Sequence, residues 1–232
     1  MKKINFVIFA SIAIIGFSCS GSSSSSDTSN KNNAVCVWDN ISLKESPDEA
    51  GKWLCSVSIG ETTTYLKETK EDNSGKKAVE YILVKLKDGK EGWVQSDFVI
   101  VDSKAAAILE DSEIYSRPDL LNKTGKFFSK MDIVAVKSTK DGFIEVVGKR
   151  KDGKWLESGW LKEKSVTYSD IDVAVAKFAR KALEISDVQK RNEALKELVN
   201  NSDFSSSSFI SSLLPQEQEV AVELSSDTTK TE

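Results

Sequence analysis

At 232 residues with a formal charge of −4, the chain suits one or two modest domains, and its acidic balance disfavours a phosphate-backbone partner such as nucleic acid. It contains no histidine, which removes the commonest general base, the usual Ser-His and Cys-His nucleophile pairs, and the commonest metal ligand. With 39% apolar and 29% charged residues it can build small cores but not one large one.

The first nineteen residues read as a targeting segment. Lys2 and Lys3 form a basic start, and Phe6 to Phe17 is an apolar run of twelve residues. A membrane span needs about twenty, so this run suits an export signal. Small Ser18 then precedes Cys19. The arrangement resembles a bacterial lipoprotein signal, whose cysteine becomes the lipidated mature N-terminus, carrying acyl chains such as palmitate. It departs from that pattern at Gly16 and Phe17, where an aliphatic residue three before the cysteine is usual. An ordinary secretory signal cut nearby is the alternative.

Residues 19–33 are Ser-rich and polar, with no apolar side chain after Cys19, and so read as a flexible tether. Losing Lys2 and Lys3 with the signal takes the charge from −4 to −6, which holds the body off an anionic membrane surface. The implied place is the cell envelope, membrane-anchored. Outer-membrane residence is a weaker extension, from the absence of an acidic residue beside Cys19. With Cys19 lipidated, Cys36 and Cys55 remain as an even pair in a disulfide-permissive compartment, and a bridge between them is expected. The alternative is two buried thiols.

Residues 34–102 read as a first β unit. Ile41-Ser42-Leu43-Lys44 alternates and breaks at Pro47; Trp53 to Ile59 and Thr62 to Lys67 follow as strands, rich in stiff branched and aromatic side chains. Glu68 to Lys77 reads as an exposed charged loop. Tyr81 to Lys87, Asp88-Gly89 and Gly92-Trp93-Val94 form strand, turn and strand, with Asp-Gly favouring a type I′ hairpin. Five or six short strands in so short a stretch argue for a small barrel.

The ordered set Ile41-Ser42-Leu43-Lys44, Pro47, Gly60, Tyr81, Val84, Asp88-Gly89 and Gly92-Trp93-Val94 resembles a bacterial SH3 (SH3b) domain. Tyr81 stands where that family has Trp, and Glu45-Ser46 where it has Ser-Gly. A second, looser copy spans 104–167: Ile114-Tyr115-Ser116-Arg117-Pro118 repeats the early motif, Gly125-Lys126-Phe127-Phe128 echoes Gly51-Lys52-Trp53-Leu54, and Asp141-Gly142-Phe143 and Gly159-Trp160 match later steps. Between Asp152-Gly153 and Gly159 the second copy has five residues, against two in the first, so that hairpin carries a longer connection.

SH3-type folds bind extended peptides in grooves lined by aromatic rings. By position, Trp53, Tyr81 and Trp93 in the first unit, and Phe127, Phe143, Trp155 and Trp160 in the second, are candidates for such a lining, with core packing as the plainer role for most. Trp155, in a polar turn of the longer hairpin, is expected to be exposed, and the second unit to carry the groove.

Residues 168–214 change to helical period. Ser169 with Asp172 reads as a capping box opening a helix whose face is Ile171, Val175, Phe178, Ala182 and Ile185. Ser186 with Gln189 opens a second, with Val188, Leu195, Leu198 and Val199 inward, and Asp203 a third to Leu214. Residues 215–232 are a polar acidic tail. The fold expected is two tandem SH3-like small β-barrels followed by two or three short helices.

The resemblance implies a non-catalytic envelope lipoprotein that binds a cell-wall peptide or glycan, peptidoglycan first, or an envelope protein. A surface adhesin for host ligands and an assembly factor are the alternatives. No Asp or Glu spacing picks out a catalytic pair, and neither enzyme activity, metal nor cofactor is expected.

Overall fold

The structure, a computed structural model, describes residues 32–213. The signal, Cys19, most of the tether and the acidic tail lie outside the described residues. Asn32 and Asn33, assigned above to the tether, belong to the fold: the Asn32 amide donates to Asp102 Oδ1 at 2.9 Å, and Asn33 opens the first strand.

The molecule is mainly β, two seven-stranded antiparallel sheets followed by three short helices. The first sheet contains β1 (Asn33–Cys36), β2 (Ile41–Lys44), β3 (Trp53–Val57), β4 (Thr62–Asp72), β5 (Val79–Lys85), β6 (Glu91–Gln95) and β7 (Val99–Val101), in the order β3-β2-β6-β5-β4-β1-β7. The second contains β8 (Lys104–Ile108), β9 (Ser112–Tyr115), β10 (Lys123–Phe128), β11 (Ile133–Lys140), β12 (Phe143–Lys149), β13 (Leu156–Lys162) and β14 (Val166–Thr167), in the order β10-β9-β13-β12-β11-β8-β14. The two orders correspond strand for strand, so the repeat seen in the sequence is a repeat of topology.

Both copies keep Gly-Trp for a steric reason. A Cβ on Gly92 would stand 2.7 Å from the Lys44 carbonyl oxygen, and one on Gly159 3.0 Å from that of Tyr115 while driving into Ile114 Cγ2. Here β6 crosses β2, and β13 crosses β9, with backbones too close for any side chain. The echo of 51–54 in 125–128 is out of register. Lys123 pairs with Tyr115 as Trp53 pairs with Lys44, so Phe127, opposite Glu113, takes the place of Ser56, opposite Ser42.

Two local expectations change. Only Gly89 of Asp88-Gly89 has positive φ, at 88°, and its amide bonds the Leu86 carbonyl at 3.0 Å; the residue Gly89 absorbs the left-handed step as a bulge. The type I′ pair is Asp141-Gly142, with φ of 52° and 76°, between β11 and β12. Glu68 to Asp72 is strand, not loop, because it pairs with β5 through Thr69–Ile82 to Asp72–Val79.

Each sheet encloses its own apolar core, Leu43, Val84 and Val94 in the first and Ile114, Ile144 and Leu161 in the second. A third core lies between them. Val35, Ala105, Ala107, Ile133 and Ala135 face outward from β1, β8 and β11, while Ala34, Cys36, Ala106, Ile108, Val134 and Val136 face inward. Strands buried on both faces read as unbroken apolar runs, as these three do.

The third core is closed by α1 (Asp170–Leu183), α2 (Val188–Asn200) and α3 (Ile210–Leu213). Ser169 caps α1 as predicted, its Oγ accepting from the Asp172 amide at 3.3 Å. Its buried face is Val173, Val175, Ala176, Ala179 and Ala182, rotated from the stripe read in sequence, and Phe178 is exposed against Phe204. Small residues lie inward because α1 rests on the alanines of β8. The second helix is capped by Asp187, not Ser186, and only Leu198 of its predicted face is fully buried. The third is shorter than expected: Asn201, not Asp203, caps a 3₁₀ turn at Ser202–Phe204, separate from α3. No helix among the described residues is long and apolar enough to cross a membrane.

The sheets are joined by Asp102 and Ser103 alone, and Ser103 is buried with its Oγ donating to the Ile100 carbonyl at 2.6 Å. Gly60 of the first unit lies against α1 so closely that a Cβ would stand 2.8 Å from Val173 Cγ1. The two units and the helices are one packed body.

Candidate functional site

The structure divides the seven aromatic candidates by exposure. Tyr81, Trp93 and Phe143 are buried, Trp160 is half-buried, and Trp53, Phe127 and Trp155 are exposed. They do not form one surface. Phe143 begins β12, whereas Trp155 precedes Leu156, the partner of Lys149 at the far end of the same strand. Seven residues of strand separate them by about 20 Å. Trp155 is exposed (80%), as expected, but it does not share a groove with Phe143.

In the first unit the aromatic surface is closed over. Lys44, paired with Trp93, sends its Nζ to the carbonyls of Asp48 (3.0 Å) and Glu49 (2.6 Å), holding the loop 45–52 down. The Glu49 amide donates to Asp72 Oδ2 at 3.0 Å, which pins that loop to the long β4 arm. Lys70 Nζ lies 5.1 Å from the centre of the Trp93 ring. Tyr81 and Trp93 are therefore walled off from solvent, and Trp53 stands alone on β3.

In the second unit the residue equivalent to Lys44 is Tyr115, paired with Trp160. Tyr115 cannot clamp the loop 116–122; it packs edge-on against Phe143, ring centres 5.4 Å apart. The loop closes on itself instead, through Ser116 N to Asn122 O (2.9 Å) and Leu121 N to Asp119 Oδ1 (2.9 Å). That leaves Leu120 and Leu121 exposed, Leu121 at 90%. Leu120 joins Phe143, Gly142, Lys162, Glu163 and Lys164 around an open depression of about 570 Å³. The type I′ turn at Asp141-Gly142 keeps one rim low, and the 3₁₀ turn Glu163–Ser165 forms the other.

Of the residues around this depression, sequence reasoning named Phe143 but not Leu120, nor Leu121 beside it in the loop. Their signal was present: an apolar doublet two residues after Pro118, inside a polar turn, has no strand or helix to belong to.

Cys36 and Cys55 are free thiols, so the bridge expected between them is not formed in this structure. The Cys36 thiol points to the Trp38 carbonyl at 2.9 Å, and burial pushes its pKa up to about 12. A thiol held that firmly protonated is a packing group, not a nucleophile. No group of three or more Cys, Asp or Glu among the described residues is arranged to hold a metal ion.

No family model and no curated protein matches the chain. Among solved structures, the chain is similar to NlpC2 from Trichomonas vaginalis at 11% identity and a TM-score of 0.25, over 72% of this chain and 56% of that one. NlpC1 from the same organism gives 14% identity and a TM-score of 0.25, over 65% and 53%. The chain spans about half the length of those structures, and likenesses this distant carry no argument about function.

Proposed function

We propose that this protein is a non-catalytic, lipid-anchored envelope protein built from two SH3-like barrels of the bacterial type, the second of which binds an extended peptide. The observation that carries this is the contrast between the units. Lys44 holds the first loop down over a buried Trp93, whereas Tyr115 leaves Trp160 half-buried and Leu120 exposed beside Phe143 at the open depression. A shallow apolar trough with Lys162, Glu163 and Lys164 at its edge suits a strand-like ligand, apolar side chains down and charged ones at the rim. The resemblance of the repeats points to a peptide of the cell wall as first ligand, with an envelope protein segment as the other. Lipidation at Cys19 supplies the anchor.

Binding of the mature protein to purified cell wall, with envelope protein extract in parallel, tests this. Leu120→Ser with Leu121→Ser, both exposed, should reduce retention at least about tenfold, the loss expected from two well-buried contacts, with thermal stability unchanged. Trp155→Ala serves as the control and should retain binding. Binding that survives the leucine changes and falls with Trp155→Ala moves the site to the other end of the hairpin.

A further inference from the structure

A second cavity lies where the three parts of the molecule meet, and we propose that it binds a phosphate group. Its volume is about 80 Å³, several times the roughly 10–15 Å³ that admits one water. That is space for one small ion or one phosphoryl head. The first unit supplies Trp38, Asp39 and Ile59 to its wall, the second unit Lys149, and α1 with its C-cap Glu184 the rest.

Charge selects the ligand. Lys149, Lys177, Arg180 and Lys181 line the cavity, against the carboxylates of Asp39 and Glu184. Two of the cations are already paired, Arg180 with Asp132 at 3.0 Å and Lys181 with Asp39 at 3.6 Å. Among the described residues, Lys149 and Lys177 have no ion-pair partner; Lys149 Nζ rests 4.1 Å from the centre of the Trp38 ring and Lys177 Nζ 5.0 Å from that of Phe178. In a chain of net charge −4, such a concentration of cations stands out. Even with Glu184 on the rim, an excess of positive charge faces a space too small for a peptide. Lysine ammoniums, and the guanidinium nitrogens Arg180 does not give to Asp132, are the donors that bind phosphate oxygens. A phosphate held there touches all three parts at once, so it stabilises the assembled body and not the unfolded chain.

The full mature protein is titrated with inorganic phosphate and with glycerol phosphate at constant ionic strength, chloride making up the balance, and followed by melting temperature and tryptophan fluorescence. Both readouts should shift saturably with inorganic phosphate. A shift with glycerol phosphate as well identifies the phosphoryl head of a larger molecule as sufficient; a shift with inorganic phosphate alone identifies the free ion. Lys149→Gln with Lys177→Gln should weaken binding at least about tenfold, since each removes a charged hydrogen bond. Lys76→Gln with Lys77→Gln, on an exposed loop, changes the net charge equally and should leave binding intact. Asp39→Asn removes an opposing carboxylate and should tighten binding severalfold, a gain that misfolding does not imitate. Equal shifts in chloride and phosphate, or equal loss in both double variants, would overturn the proposal.

Discussion

Asp172 collects four hydrogen bonds although its side chain is almost wholly buried: from Thr167 Oγ1 (2.8 Å), Ser207 Oγ (2.7 Å), Ser208 N (2.7 Å) and Ser208 Oγ (3.2 Å). Burial by itself would raise its pKa; the bonds from Ser207, Thr167 and Ser208 outweigh it and hold the carboxyl below its usual range. A depressed carboxyl contributes stability above the unfolded pKa, about 4, and loses it as pH falls through the lower folded value. Asp172→Ala should therefore cost about 3 kcal/mol at pH 7, read as a drop in melting temperature. Asp172→Asn should cost less and flatten the acid limb of stability below about pH 4; an acid limb identical to that of the parent protein would show that the carboxylate charge is not what Ser207 and Ser208 read. The sequence showed Asp172 only as part of a capping box. Its stronger bonds reach across thirty-five residues to Ser207, and no local pattern announces such a contact.

Among the elements, the sheets were legible and the helix faces were not. Period-2 runs, Asp-Gly turns and the repeated Gly-Trp placed most strands, because each reflects a local demand of backbone or pleat. The charged arm Glu68 to Asp72 was hidden because its polarity reflects exposure on both faces, which resembles a loop. The face of α1 departs from its large apolar stripe through Phe178, because the contact is made by Ala176 and Ala179 on a sheet already lined with alanine. The candidate site shared this difficulty: a polar turn marks Trp155 as exposed, yet its neighbours are fixed by which end of a hairpin it occupies. The Gly-Trp step offers a sharp test of the crossing strands. Gly159→Ala places a methyl against Ile114 Cγ2 and a backbone oxygen, neither free to retreat, so destabilisation of about 3 kcal/mol or more is expected by denaturant titration. A cost under about 1 kcal/mol would mean that β13 can lift off β9.

On the scale of the whole molecule, the two repeats and the helices meet in one core. Val35, Val37 and Ile59 of the first unit, Ala107 and Ile133 of the second and Val175 of α1 share one core. Neither sheet can leave without exposing it. Heating or denaturant should then give one cooperative transition, with tryptophan fluorescence and far-ultraviolet circular dichroism superimposed. Two separated transitions, one for each sheet, would refute the shared core. The sequence does not announce this core, because Val35 on β1 and the outward alanines of β8 and β11 leave no polar face to mark a surface, and an unbroken apolar run does not say what lies on its second side.

The position of β1 also sets how the fold answers force. It is paired along both edges, to β4 through Ala34–Thr63 and to β7 through Ala34–Val101. Tension applied at Asn33 along its axis meets hydrogen bonds that lie across that axis. The load then falls on all of them together in shear, as on a lap joint, and none can be unzipped ahead of the rest. The helices, held by apolar contact and a few side-chain bonds, have no such joint. Pulled between Asn33 and Leu213, the fold should shed its helices before β1 yields.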